Sequence, residues 1–192
     1  MLDKKFIEKI KKEYDSYDIG RRIMIKHSND ILKLSKQAIF ALHRDDVKQA
    51  EENLAESKKL IEYLETKIKK DKGLRYEGAF WAAMEEFVEA SFFYQYIKTG
   101  KVTEIKDMRV GDRSYLGGLS DLTGELVRRS VILATKRKYK EIKVIHDVIE
   151  NIVGELIEFN LTGPLRNKFD QAKHSLRKIE EIMYDLELKR KK

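Results

Sequence analysis

The sequence predicts an all-α fold of six or seven helices, most of them long. Three observations carry that expectation. The 192 residues include a single proline, Pro164, and proline is the residue that most reliably interrupts a helix. Charged residues make up 38% of the chain and hydrophobic ones 42%. With Ala, Glu, Lys, Leu and Ile dominant, that is a helix-forming mixture with enough apolar surface for a core. No stretch alternates polar and apolar residues for long, whereas apolar residues recur at three- and four-residue intervals.

An early helix carries "GRRIMIKHS" and then "SNDILKLSKQAIFALHR". In "LHRDDVKQAEENL", Asp45 or Asp46 is a candidate N-cap for a long charged helix. That helix runs through Leu54, Leu60, Ile61, Leu64 and Ile68 and is expected to stop near Gly73. A further helix, about 75 to 98, ends at "KTG", with Gly100 as its C-terminal cap. Asp112, after Gly111, is the candidate cap of a helix carrying "YLGGLSDLTGELVRRSVILAT". Ile142, Ile145, Ile149, Ile152, Leu156 and Phe159 form one apolar seam. Thr162-Gly163-Pro164 restarts the chain as a helix with proline in its first turn. Leu165, Phe169, Ala172, Leu176, Ile179, Met183 and Leu186 form a second seam, and "LKRKK" closes the sequence as a short basic tail.

No internal repeat and no low-complexity linker divides the sequence, so residues 1–192 read as one helical domain. Several helices are too long for a compact globule of this size. An amphipathic helix of such length hides one face on a neighbour, so an oligomer is expected.

Composition excludes several classes of function. There is no cysteine, hence no disulfide and no thiolate chemistry. The four histidines, His27, His43, His146 and His174, show no HxxxH-type ligand spacing and read as surface or interface residues. The opening Met1-Leu2-Asp3-Lys4-Lys5 is not a signal peptide. No apolar run approaches the ~20 residues of a membrane span, so the expectation is a cytoplasmic protein without a membrane partner. The formal charge of +7 suits a polyanionic partner.

Two segments place acids in apolar company. "SDLTGELVRR" (120–129) carries Asp121 and Glu125 four residues apart, on one helical face. "FWAAMEEFVEASFFYQYI" (80–97) is apolar nearly all round yet holds Glu85, Glu86 and Glu89. On a helix Glu85 and Glu89 lie about 40° apart, and Glu86 and Glu89 about 60° apart. Buried carboxylates must be paired, protonated or metal-bound. If the two helices pack together, Glu86, Glu89, Asp121 and Glu125 converge. Four oxygen ligands of this kind suit Mg²⁺ or Mn²⁺, which serve phosphodiester hydrolysis. An ordinary reading stands beside this one. Arg128 and Arg129, three and four residues from Glu125, can satisfy the acids as intrahelical ion pairs.

Basic residues suggest where a phosphate backbone would lie. Arg21, Arg22 and Lys26 are neighbours on the early helix, Arg75 and Tyr76 precede the acid-bearing aromatic helix, and "TKRKYK" (135–140) reads as a basic loop. Each is equally a solvated face. Phe80 and Trp81 can stack bases or pack into the core.

The ordered segments "SNDILKLSKQAIFALHR", "MEEFVEASFFYQYIKTG", "YLGGLSDLTGELVRRSV" and "NLTGPLRNKFDQAKHSLRKIEEIMYDLELK" resemble the translin family, from about residue 20 onward. "EFVEA" and "DLTGEL" resemble its translin-associated factor X (Trax) branch, whereas the closing "YDLELK" leans towards translin. The combination reads as a Trax-like relative of archaeal or other prokaryotic type. The resemblance implies about seven helices and a barrel-like octamer holding RNA, or single-stranded DNA, in its interior. It implies a metal-dependent endoribonuclease in which Glu86, Glu89, Asp121 and Glu125 hold Mg²⁺ (or Mn²⁺) and activate water, with Arg21, Arg22, Lys26, Arg75, Tyr76 and Arg128 as nucleic-acid contacts. The alternative within the family is a non-catalytic translin-like shell that binds single-stranded RNA or DNA. Two departures are visible. The stretch between the acid-bearing segments is short, residues 101–114, and the region equivalent to translin's basic RNA-contact segment is only partly basic, at Arg75 and Tyr76. For a lone Trax-like chain the resemblance implies a homo-octamer rather than a mixed complex.

Overall fold

Asp3 opens the first helix by accepting hydrogen bonds from the backbone N–H groups of Lys5 and Phe6, and the helix then runs unbroken for 40 residues. The computed structural model describes residues 2–106 and 108–190. Six α-helices appear among them: α1 (Lys4–His43), α2 (Val47–Lys70), α3 (Gly78–Thr99), α4 (Asp112–Thr135), α5 (Tyr139–Ile157) and α6 (Gly163–Arg190). A 3-10 turn, Lys72–Tyr76, separates α2 from α3. The helix count is therefore six plus this turn, not about seven, because α1 is one continuous rod about 60 Å long.

Most ends follow local chemistry. Asp46 is the N-cap of α2 and accepts from the Gln49 N–H at 3.1 Å. Gly100, at φ 71°, closes α3 in the left-handed conformation that glycine adopts without strain. Pro164 sits in the first turn of α6. Three expectations are corrected. α2 stops at Lys70, and Asp71 caps the 3-10 turn instead by accepting from Gly73 N–H at 2.9 Å. Gly111 occupies the N-cap of α4, while Asp112 lies inside the first turn and accepts from Arg113 N–H. Phe159 falls beyond the end of α5 and is 51% exposed, so it does not extend the seam. Lys191 and Lys192 of the basic tail lie outside the described residues.

The packing order follows the chain. α1 lies against α2 and α3, α3 against α4, and α4 against both α5 and α6, which also pack together. Two three-helix groups thus meet where α3 crosses α4. Met24, Ile31, Ile61, Leu64 and Phe87 fill the core of the first group. Leu42, Phe93, Leu122, Leu126, Ile149, Leu156 and Phe169 belong to the core spanning the second. The N-terminal half of α1 reaches past both, with Phe6, Ile10, Tyr14 and Ile19 exposed. Among the described residues no helix is long and apolar enough to cross a membrane.

Candidate functional site

The crossing of α3 and α4 is made close by two glycines. A Cβ at Gly118 would stand 2.7 Å from Val88 Cγ1 and 2.8 Å from the Glu89 backbone nitrogen, and one at Gly117 would overlap the Glu85 carboxylate. No side chain fits between the backbones here. The acids that follow on α4, Asp121 and Glu125, are thereby brought opposite the glutamates of α3.

Glu89 is the deepest of them, 8% exposed. It accepts no hydrogen bond and joins no ion pair among the described residues. Burial, reinforced by the charges of Glu86, Asp121 and Glu125, pushes its pKa up to about 9. Burial also raises Glu86, with Lys36 opposing it and Asp121 and Glu125 adding to it. The charges of the four acids foreseen from the sequence therefore act on one another, because α3 packs against α4.

Cations stand around this cluster. Lys168 of α6 bonds to Asp121 and lies 3.0 Å from Glu85 Oε1. Burial works against its ammonium, but the bonds to Asp121 and Glu85 outweigh that and raise its pKa. Lys36 of α1 approaches Glu86 at 3.9 Å. His43 Nε2 lies 2.5 Å from Glu125 Oε2, and Arg128 is 3.7 Å from the same oxygen. The intrahelical pairing expected for Arg129 does not occur. Its guanidinium reaches Asp45 at 2.6 Å instead, and with Lys136 it holds the Asp45 carboxyl below its ordinary range. His43 is likewise not a surface residue: it is 5% exposed.

The unpaired carboxyl of Glu89, among three further acids, fits a hard divalent cation, with the nitrogens of Lys168, Lys36 and His43 at the edge of the cluster. The described side chains whose donor atoms all lie within 4.8 Å of one another are elsewhere, at His146, Asp147 and Glu150 on the outer side of α5. The carboxylates at the α3–α4 crossing are spread wider, drawn towards Lys168, Lys36 and His43.

The basic candidates fall into two places. Arg21 pairs with Glu77 at 3.2 Å and Arg22 with Asp18 at 2.7 Å, while Lys26 is exposed on the same helix. Glu77 follows Tyr76 in sequence, so α1 and the 3-10 turn meet here. Tyr76 is 77% exposed, and Arg75 donates to Glu65 at 2.7 Å. Arg128 belongs to the acid cluster. Phe80 is core, and Trp81 lies under the Arg113 guanidinium, 5.4 Å away. Of "TKRKYK", only Lys136–Lys138 is a turn; Tyr139 and Lys140 begin α5.

A family model described as the Translin family matches residues 20–190. The chain belongs to the Translin family. The Translin-associated protein X homolog of Schizosaccharomyces pombe is 25% identical over 185 residues, covering 85% of this chain and 79% of that protein. The crystal structure of apo-NeC3PO superposes with a TM-score of 0.85 at 25% identity, covering 96% of this chain and 97% of that one. AfC3PO in complex with duplex RNA has the same fold, with a TM-score of 0.85 at 24% identity over 96% of this chain and 97% of that one. This Translin-family chain adds what its sequence did not advertise. Lys168, His43 and Lys36 surround the acids, and Glu85 is a partner of Lys168. Their contacts span 47 to 83 residues of sequence, and none carries a local spacing signal.

Proposed function

We propose that this chain is a Trax-like metal-dependent endoribonuclease, acting on RNA inside an oligomeric shell of identical chains. The observation that carries the reading is Glu89, a buried residue (8% exposed) whose carboxyl has no hydrogen bond or ion pair among the described residues and feels the charge of three further acids. Inside a protein such a group stays protonated or meets a cation. A donor set of carboxylates without sulfur suits Mg²⁺ or Mn²⁺, and Glu86, Glu89, Asp121 and Glu125 would hold it. When bound, the ion makes a water nucleophilic and offsets charge on the phosphodiester. The side chains around it do the rest. Lys168 holds Asp121 in place. Lys36 stands beside Glu86 at 3.9 Å and would steady its carboxylate. Arg128, with 53% of its side chain exposed, suits a phosphate oxygen beside Glu125.

Arg21, Arg22, Lys26, Arg75 and Tyr76 would hold the strand, the cations on phosphates and the tyrosine against a base. The duplex RNA in the AfC3PO complex supports an RNA ligand. The exposed apolar residues on the N-terminal half of α1 support self-association, and a homo-octamer is the assembly the family resemblance implies.

The test is incubation of purified protein with labelled RNA, single-stranded and duplex, in Mg²⁺ and in EDTA, beside Asp121→Asn and Glu89→Gln. Cleavage that needs Mg²⁺ and is lost in both variants supports the reading. RNA or single-stranded DNA binding of equal strength in all three proteins, with no cleavage by any, assigns a non-catalytic shell. The pairing of Asp121 with Lys168 and of Glu125 with His43 favours that second reading.

A further inference from the structure

His43 closes α1, and its imidazole is buried against the ring of Phe93, with centroids 4.8 Å apart. A carboxylate oxygen only accepts, so the 2.5 Å contact is a bond donated by His43 Nε2–H to Glu125 Oε2. The other ring nitrogen, Nδ1, is buried and has no hydrogen-bond partner among the described residues. The backbone around the ring is fastened to α4 independently. Arg129 donates to the His43 carbonyl at 3.4 Å and to Asp45 at 2.6 Å, and Lys136 donates to Asp45 at 2.9 Å.

This arrangement is a poor one for stability alone. An apolar side chain would fill the same space without stranding a polar nitrogen, and α1 would stay tied to α4 through Arg129 and Asp45. The one polar contact that the imidazole makes among the described residues is to Glu125. The contacts of Glu125 with His43 and Arg128 both fall on Oε2. Its Oε1 makes no hydrogen bond or ion pair among the described residues.

We propose that His43 is a positioning residue: its Nε2–H fixes the rotamer of Glu125 so that this carboxylate can join Glu86, Glu89 and Asp121 around a divalent cation. The imidazole touches neither ion nor RNA. The inference rests on the metal reading of the acid cluster, and it adds that a residue 82 positions away in sequence sets the affinity of that site.

The experiment measures Mn²⁺ binding by the free-ion EPR signal, and thermal unfolding in EDTA, for wild type, Asp121→Asn, His43→Leu, His43→Gln and His43→Asn. Gln carries its amide nitrogen as many bonds from Cα as His carries Nε2; Asn falls one bond short. The expected result is that His43→Leu weakens Mn²⁺ binding about 10- to 100-fold, the usual cost of losing a group that orients a metal ligand. Its unfolding midpoint in EDTA should stay level or rise, and His43→Gln should keep most of the affinity. If His43→Leu does not fold, His43→Asn replaces it with the same expected weakening. Wild-type affinity in the Leu or Asn variant overturns the inference and leaves His43 as packing, with the metal reading intact. Absence of Mn²⁺ binding by wild type overturns the metal reading itself, and this inference with it.

Discussion

Gly118 and Glu89 mark the point where two helix backbones touch: a Cβ on the glycine would lie 2.8 Å from the glutamate's backbone nitrogen. Real Cβ atoms do not approach backbone so closely, and backbone cannot rotate aside as a long side chain can. Gly118→Ala should therefore force α3 and α4 apart and cost about 1–3 kcal/mol, the usual range for overpacking. Gly124→Ala on the same helix meets nothing within 4 Å and should raise stability by roughly 0.5–1 kcal/mol through helix propensity. Chemical denaturation of the two variants beside wild type checks the contrast; equal effects would mean that the crossing is not tight.

Lys168 acts as a tethered cation between Glu85 and Asp121. In Lys168→Met both carboxylates lose their ammonium partner, and repulsion in the cluster rises. Stability in EDTA should fall by about 1–3 kcal/mol, the cost of stranding a partly buried polar group. Added Mn²⁺ should then raise the unfolding temperature of the variant by more than that of wild type, because the ion supplies the missing charge. Differential scanning fluorimetry with a Mn²⁺ titration gives both numbers, and identical shifts would remove Lys168 from the electrostatics of the site.

The raised pKa of Glu89 makes metal-free stability fall with pH. The unfolded carboxyl ionises near the ordinary glutamate value of 4.5, while the folded one holds its proton up to about 9. Between those values the folded state binds more protons than the unfolded state. Stability contributed by this group is complete below the lower value and declines as pH rises towards the upper one. The slope from one such group is at most about 1.4 kcal/mol per pH unit. Glu89→Gln carries no titrating proton there, so the difference between wild type and variant isolates the effect. Urea unfolding in EDTA at pH 5.5, 7 and 8.5 should show the variant gaining on wild type with each step.

Arg22 and Lys26 are exposed on α1, and their contribution to RNA binding should be electrostatic. The double change Arg22→Ala and Lys26→Ala should weaken binding and lower the slope of log affinity against log salt by roughly 1 to 2, about one released counterion per lost phosphate contact. Tyr76→Ala should weaken binding to single strands with little change in that slope, since stacking is not screened by salt. Fluorescence anisotropy across a salt series separates the two. An unchanged slope in the double variant would place the strand elsewhere.

Local chemistry was legible in the sequence where a helix carries its own signal. Asp46, Gly100 and Pro164 mark ends that the structure keeps, and the isoleucine seam of α5 is buried from Ile142 to Leu156. The pairing of Asp121 with Glu125, and of Glu86 with Glu89, was legible for the same reason: helical spacing is a property of one segment. Convergence of the two pairs was only conditional, because it depends on α3 meeting α4. Gly117 and Gly118 permit that contact, yet glycines read as gaps in propensity rather than as contact points. Lys168 and His43 were not legible at all. His43 follows an apolar run and Lys168 lies in the polar stretch "RNKFDQ", and neither neighbourhood marks a partner, which tertiary packing chooses across 82 and 47 residues. The caps at Asp71 and Gly111 show a smaller version of the effect: a neighbouring turn, not the strength of the capping residue, decided which position was used.

The burial of Glu89 also bears on how chains of this architecture diverge. Exchanging that acid for an amide or an aliphatic residue relieves the fold of a sealed carboxyl and disturbs no helix end, ion pair or glycine contact. Random substitution at this one position is therefore biased towards losing the acid while the scaffold persists, whereas Asp121 and Glu125 are held by their pairs with Lys168 and His43. Chains that share every helix can therefore differ at Glu89, and overall shape is a poor guide to which have kept it.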